Sequence, residues 1–326
     1  MNPIGAGSLA VFPLALHCNM FGWKTDEHAS HAVLDAFVAG GGNFIDTADS
    51  YSAWVPGHSG GESEKIIGTW LATRKNRDRV VLSTKVGQHP QRRGLSAANV
   101  RAALEESLAR LQTDHVDVYY AHADDPDTAI DETAAAFDAL LQAGKIRAIG
   151  LSSYPADRVR EWMRVARRRG YALPVVTQPR YNLVRQDAGE RDIASVAIAE
   201  GLTVAPYFSV ASGFLSNRYR VSDDLDAVPR PEKAGAYFSH AGLWAFDALE
   251  TIAESRGVRP ATVALAWLRT RPGVIAPVVS VRSVGELPAL LASAGLELDA
   301  AEREELDQIS ATVLPEDRAA NDTAGR

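Results

Sequence analysis

Cysteine is nearly absent from this chain. One residue, Cys18, cannot close a disulfide within 326 residues, so a disulfide framework is excluded and a reducing, cytoplasmic setting is expected. Paired Cys/His spacing of the structural zinc type is missing as well. His28 and His31 stand three apart on a predicted helix without a third ligand; they read as a surface pair, and no metal is expected.

An excess of positive charge is also lacking. Lys and Arg total 34 against 41 Asp and Glu, a net charge of −7, which argues against nucleic acid or an acidic membrane surface as partner. The densest basic run, Arg164 to Arg169, precedes Gly170 and reads as a solvated helix end whose cations complement the helix dipole. The apolar stretch Ser8 to Leu16 is too short to span a bilayer, and residues 1 to 16 hold no Lys or Arg for a signal peptide; a short N-terminal hairpin is expected. No Gly-x-Gly-x-x-Gly follows a strand and opens a helix. Gly40-Gly41-Gly42 precedes a strand instead, so a Rossmann site is unsupported.

What the chain does have is rhythm. Apolar runs at Leu14–His17, Asn43–Asp46, Val80–Val86, Val116–His122, Ile146–Ser152, Val175–Arg180, Thr203–Phe208 and Val274–Val281 alternate with helical patterns. Continuous apolar runs suit strands buried on both faces. Asp26 and Ser96 are helix-start signals, Asp131 leads a helix toward Gly144, and Pro260 opens one running to Arg271. Eight such units predict an α/β fold, a (β/α)8 TIM barrel with an N-terminal β-hairpin and extended loops at its C-terminal face. The expected domain is residues 1–314, followed by a polar, flexible tail at 315–326. The long segment Ser209 to Leu243 is expected to form part of the pocket.

A barrel gathers its chemistry at the C-terminal ends of its strands. Asp46 closes the second run, Tyr51 lies five residues on, Lys85 ends the third run and His122 the fourth. Singly, each has an ordinary structural role as cap, rim packing, snorkelling cation or core histidine. Jointly they form a constellation suited to proton transfer. A phenol with a reference pKa of about 10 is a poor acid at neutral pH, and a lysine ammonium in contact favours its ionised form.

The chain resembles the aldo-keto reductase family. The residues that carry the resemblance are Gly-Gly-Asn-Phe-Ile-Asp-Thr-Ala-Asp-Ser-Tyr at 41–51, Ser-Thr-Lys at 83–85, Tyr-Tyr-Ala-His at 119–122, Gly-Lys-Ile-Arg-Ala-Ile-Gly-Leu-Ser at 144–152 and Gln-Pro-Arg-Tyr-Asn-Leu at 178–183. The resemblance implies Tyr51 as proton donor, Lys85 as its electrostatic partner, Asp46 as the carboxylate that holds the lysine, and His122 as the donor that orients the substrate oxygen. It further implies a nicotinamide held by Ser152, Ser153 and Gln178 under the ring of Tyr207, with Asp46 also at the cofactor. Ser280, Arg282 and Glu286 fall in the region that grips the adenosine phosphate. A guanidinium forks onto a 2′-phosphate better than onto a bare ribose, so NADPH/NADP+ is expected ahead of NADH.

Several positions depart from the family pattern: Ser153 stands where Asn is usual, Glu286 for Gln, Leu290 for Asn, and Ser209-Val210-Ala211 for Pro-Leu-Ala. Trp23 and Trp54 follow the first two strands and are candidate walls for a carbonyl or sugar-like substrate. Cys18 and Asn19 complete the pocket candidates, with Cys18 read as a small buried hydrophobe. The implied activity is reversible reduction of an aldehyde or ketone. The alternatives are a regulatory cofactor-binding subunit resembling potassium-channel β subunits, and a Schiff-base lyase acting through Lys85.

Overall fold

The computed structural model describes residues 1–5, 9–184, 188–216, 237 and 239–321. A small antiparallel hairpin of β1 (Asn2–Pro3) and β2 (Ala10–Val11) comes first. Eight parallel strands follow: β3 (Ala15–His17), β4 (Phe44–Asp46), β5 (Val81–Val86), β8 (Val116–Ala121), β9 (Ile146–Ser152), β10 (Val176–Gln178), β11 (Thr203–Val204) and β12 (Val278–Val279). Between the third and fourth of these a second hairpin, β6 (Gln88–His89) with β7 (Arg92–Arg93), rises from the C-terminal face. The eight strands pair in the order β11-β10-β9-β8-β5-β4-β3-β12. Backbone bonds then close the ring: Val204 donates to Gly273, Ile275 donates to Val204, and Val278 donates to Pro206. The result is the expected (β/α)8 barrel.

The helices follow from local signals. Helix α1 (Glu27–Ala39) starts at Asp26, whose carboxylate accepts the Ala29 amide, and stops at Gly40. Helix α2 covers Glu62–Arg74, and α3 (Ala97–Leu111) starts at Ser96, whose hydroxyl accepts the Asn99 amide. Helices α4 (Ile130–Gln142), α5 (Ala156–Arg169), α6 (Ala188–Glu200), α7 (His240–Arg256), α8 (Pro260–Arg269), α9 (Leu287–Ala292) and α10 (Ala300–Asn321) complete the outer layer. Helix α10 covers the first residues of the stretch read as a tail. No helix among the described residues is long and apolar enough to cross a membrane.

Two apolar layers hold the barrel. The larger lies between strands and helices and includes Trp70, Phe137, Trp162 and Trp267. The smaller fills the interior with Ala15, Phe44, Val81, Val118, Tyr120, Ala148 and Val176, all buried. At about 25 cal/mol per Å2 of apolar surface removed from water, this double burial is the main stabilising term. Gly150 is required here, because a Cβ on it would lie 2.3 Å from the Tyr120 ring. From below, Ile4 and Val11 of the first hairpin plug the N-terminal end. Asn43 ties that hairpin down, accepting from Phe12 and donating to the Ala10 carbonyl. The filled interior leaves the C-terminal face for chemistry.

One expectation changes. His31 is not a surface residue: its ring lies in the seam between α1 and α2, with Nε2 3.1 Å from both the Ile66 carbonyl and the Thr69 hydroxyl. His28 remains exposed. Among the described residues, no cluster of three or more His, Cys, Asp or Glu could hold a metal. The arginine run at the end of α5 is exposed and pairs outward, Arg167 with Glu200 and Arg169 with Asp131. Of the long segment after β11, residues 217–236 and 238 lie outside the described residues.

Candidate active site

Parallel register brings the site together. His17 and Asp46, at the ends of β3 and β4, are aligned with Ser83 in the middle of β5, and Lys85, two residues on, pairs with Tyr120 of the next strand. A bonded turn after β4, with the Tyr51 amide donating to Ala48, swings the Tyr51 side chain back over this row. The result is a dense network. Lys85 is fully buried, and its Nζ donates to Asp46 Oδ2 at 2.6 Å, to the Thr47 carbonyl at 2.8 Å and to the Tyr51 oxygen at 2.9 Å. Those three bonds use every ammonium hydrogen.

Asp46 is saturated in turn. Its Oδ1 accepts from Ser83 at 2.7 Å and from the Gln178 amide at 3.4 Å, while Oδ2 receives Lys85 and His17 Nδ1, the latter at 2.8 Å. Burial alone would raise this carboxyl, but the Lys85 charge and then the His17 hydrogen bond outweigh it and hold the group well below the usual carboxylate range. Burial pulls Lys85 below the ordinary lysine value, opposed by Asp46. The 2.6 Å contact and the satisfied donors fix the state as carboxylate and ammonium.

His122 follows β8, with its ring centroid 6.0 Å from that of Tyr51. Its Nδ1 is buried without a hydrogen-bond partner among the described residues. Burial, reinforced by the Lys85 charge, lowers its pKa to about 3, so the ring is neutral near pH 7. A neutral imidazole at the edge of the phenol can direct a carbonyl oxygen without adding charge. Trp23 and Trp54 meet edge to face at 5.6 Å, and Trp54 lies 6.2 Å from Tyr51 with 42% of its surface exposed.

The remaining rim positions lie around the same mouth. The Ser152 hydroxyl donates to the Gln178 carbonyl, and Ser153, with φ of 53°, lies 3.2 Å from the Tyr207 hydroxyl. Ser280 donates to Asn19 Oδ1 at 2.7 Å. Arg282 is clamped by Glu286, whose carboxylate takes the Arg282 backbone N–H at 2.9 Å and its Nη2 at 3.1 Å. An arginine beside a helix start needs an anion, and here the chain itself supplies one. Cys18 is sealed, with burial raising its thiol well above the ordinary value.

His17 was not among the expected site residues. The positional rule that selects Asp46, Lys85 and His122 selects it too, since it ends the first barrel strand. A second unexpected feature lies beside the site, in the loop after β4, where the Asp49 amide donates to the Lys85 carbonyl. Asp49 is buried, with neither carboxyl oxygen hydrogen-bonded among the described residues. Burial, and then the charge of Glu64, push its pKa up to about 8, against weaker opposition from the charges of Arg110 and Arg92. Glu64 is itself buried and bonded to Thr84 and Arg110.

Comparison with known proteins agrees with this geometry. The model of the Aldo/keto reductase family matches residues 13–311. Norsolorinic acid reductase B of Aspergillus parasiticus is 33% identical over 303 residues, covering 86% of this chain and 76% of that protein. An uncharacterized oxidoreductase of Bacillus subtilis, YrpG, is 32% identical over 305 residues and covers 91% of both chains. Aryl-alcohol dehydrogenase [NADP(+)] of Phanerodontia chrysosporium is 29% identical over 321 residues, covering 91% of this chain and 80% of that protein. With its barrel, its buried Asp46–Lys85–Tyr51 network and a family match over nearly its full length, the chain is an oxidoreductase that belongs to the aldo/keto reductase family.

Proposed function

We propose that this enzyme interconverts an aryl-substituted aldehyde or ketone and its alcohol, using NADPH/NADP+, with Tyr51 as general acid and base. The observation that carries the reading is the 2.9 Å contact between the buried Lys85 ammonium and the Tyr51 oxygen. As the carbonyl oxygen takes the phenol proton, negative charge develops on the Tyr51 oxygen beside a fixed cation. That fixed cation costs no reorganisation at the moment of reaction. Asp46 keeps the cation charged and aimed, and Ser83 and Gln178 keep Asp46 in place. His122, held neutral, is suited to direct the substrate oxygen toward the phenol. The reverse reaction uses the same groups in reverse order.

The dinucleotide, when bound, supplies or accepts the hydride. The donor set at the rim fits such a group: hydroxyls at Ser152, Ser153 and Ser280, the Gln178 amide, the Tyr207 ring and one guanidinium, Arg282. Hydroxyl and amide donors suit a carboxamide and ribose, and a guanidinium suits a phosphate. The choice of NADPH over NADH rests on Arg282. The paired rings of Trp23 and Trp54 beside Tyr51 support a flat aromatic substituent on the substrate. The name of the aryl-alcohol dehydrogenase relative points the same way.

The experiment is Tyr51→Phe, assayed by nicotinamide absorbance with aromatic aldehydes and alcohols. We expect kcat to fall by about a thousandfold or more with dinucleotide affinity retained, because only the acidic proton is removed. Full turnover in that variant ends the assignment.

A further inference from the structure

The site contains an imidazole that the reaction as described does not use. His17 Nδ1 lies 2.8 Å from Asp46 Oδ2, and the Tyr51 hydroxyl lies 3.3 Å from His17 Nε2 and 3.5 Å from Nδ1. The two rings meet at 5.1 Å between centroids and 69° between planes. The ionised Asp46 can only accept, so its contact fixes the hydrogen on Nδ1. A neutral His17 then carries its lone pair on Nε2, the nitrogen nearer the phenol.

Lys85 cannot serve in this way. As an ammonium it has no lone pair, and its three hydrogens are committed to Asp46, Thr47 and Tyr51. Asp46 is already engaged by four donors. Both side chains are sealed from solvent, whereas the His17 side chain is 15% exposed. Resting contacts of 3.3 Å are common for groups that tighten only once substrate is bound.

We propose that His17 is a proton relay acting through Tyr51, in a carboxylate–imidazole–phenol chain that couples Tyr51 to solvent. The proposal rests on the reading of Tyr51 as general acid and base. In oxidation, the alcohol O–H gives its proton to the Tyr51 oxygen as the Tyr51 proton moves to His17 Nε2; the dinucleotide, when bound, would accept the hydride from the alcohol carbon. The imidazolium then releases that proton to water. Carbonyl reduction runs the same transfers backwards. The ionisable groups that face the ring are Asp46 from β4, Tyr51 from the loop after it, Lys85 from β5 and His122 after β8, with the buried Cys18 thiol adjacent in the chain. Asp46 and Lys85 cancel, so a proton arriving on His17 gives the site one net positive charge, directly against the Asp46 carboxylate. This is the logic by which a buried carboxylate steadies an imidazolium between itself and a hydroxyl.

The relay makes a distinctive prediction about pH. With it, oxidation needs the Tyr51–His17 pair to hold one proton and reduction needs it to hold two, so the acid limb of oxidation and the alkaline limb of reduction share one apparent pKa nearer the imidazole range. Without it, both limbs follow the phenol alone. Reference values for the two groups differ by about 3.5 units. The test is His17→Asn, whose amide keeps a donor on Asp46 but offers nothing at Nε2. We expect both limbs to move up together by at least about one pH unit, with dinucleotide affinity by fluorescence titration within about twofold of the parent. Limbs that stay within about 0.3 unit overturn the relay.

A second readout needs neither turnover nor a variant. Histidine-selective nitrogen NMR of the parent protein, assigned by through-bond correlation, is expected to show neutral His17 protonated on Nδ1 and titrating at Nε2; a neutral ring protonated on Nε2 overturns the proposal. If Tyr51→Phe is inactive and the limbs do not move in His17→Asn, the relay alone fails. If Tyr51→Phe turns over normally, the reading beneath it fails.

Discussion

Replacing Asp49 with asparagine should change how stability depends on pH. In the folded chain this carboxyl titrates at about 8, against an ordinary value of 3.8, because burial and then the Glu64 charge penalise its ionised form. Its folded value is raised, so its contribution is fully present below about pH 4 and is lost as pH rises toward 8. Over that window the unfolded chain releases a proton that the folded chain still holds. Each pH unit is worth at most about 1.4 kcal/mol, so the ceiling over the whole window is about 6 kcal/mol. That is comparable with the entire stability of many domains. Asparagine cannot titrate, but it buries an amide whose hydrogens find no better partners than the carboxyl had, at a pH-independent cost of about 1–3 kcal/mol. Asp49→Asn should therefore gain on the parent steadily from pH 5 to pH 8, by at most about 4 kcal/mol, and be at least as stable as the parent near pH 8. Urea unfolding followed by tryptophan fluorescence at several pH values measures the difference directly, since groups common to both proteins cancel. A gap that stays constant within about 0.5 kcal/mol from pH 5 to pH 8 would refute the reasoning.

Two further outcomes follow from the rim of the site. Glu286→Gln removes the carboxylate that clamps Arg282 and frees the guanidinium for an anion; the KM ratio of NADH to NADPH should rise about three- to tenfold, and an unchanged ratio would detach Arg282 from the adenosine phosphate. Trp54→Ala strips a half-exposed ring beside Tyr51; kcat/KM should fall about tenfold for a flat aromatic aldehyde and stay near the parent value for a small aliphatic one.

Much of this was legible in the residues, for identifiable reasons. Each of the eight apolar runs contains a barrel strand, because strands covered on both faces leave an unbroken apolar signature. Their lengths were less legible. The run Thr203–Phe208 yields a ladder of only two residues, since Pro206 has no N–H to donate and Phe208 turns to a φ of 57°. Pro277 shortens the last strand in the same way. Asp26 and Ser96 act as caps because a short oxygen-bearing side chain can reach the open amides of the first turn. His17 itself was within reach of the strand-end rule, but its partner was not: Asp46 lies 29 residues away, and the His17–Asp46 register exists only once β3 and β4 are paired. Asp49 escaped for a similar reason: nothing local distinguishes a buried carboxyl without partners from a solvated one. The Arg282–Glu286 pair was within reach, since two opposite charges four residues apart at a helix start are natural partners.

The ring of strands is not equally thick all the way round. Between β5, β8 and β9 the pairing runs for four and five residues, whereas β11 joins β10 through two residues and reaches the last strand by single backbone bonds. Such an arch has a thin keystone, and amide exchange with solvent should begin there. The loops beyond those thin strands carry Tyr207, Ser280 and Arg282, so a dinucleotide lying across them would act as a clasp, lending rigidity where the ring has least of its own.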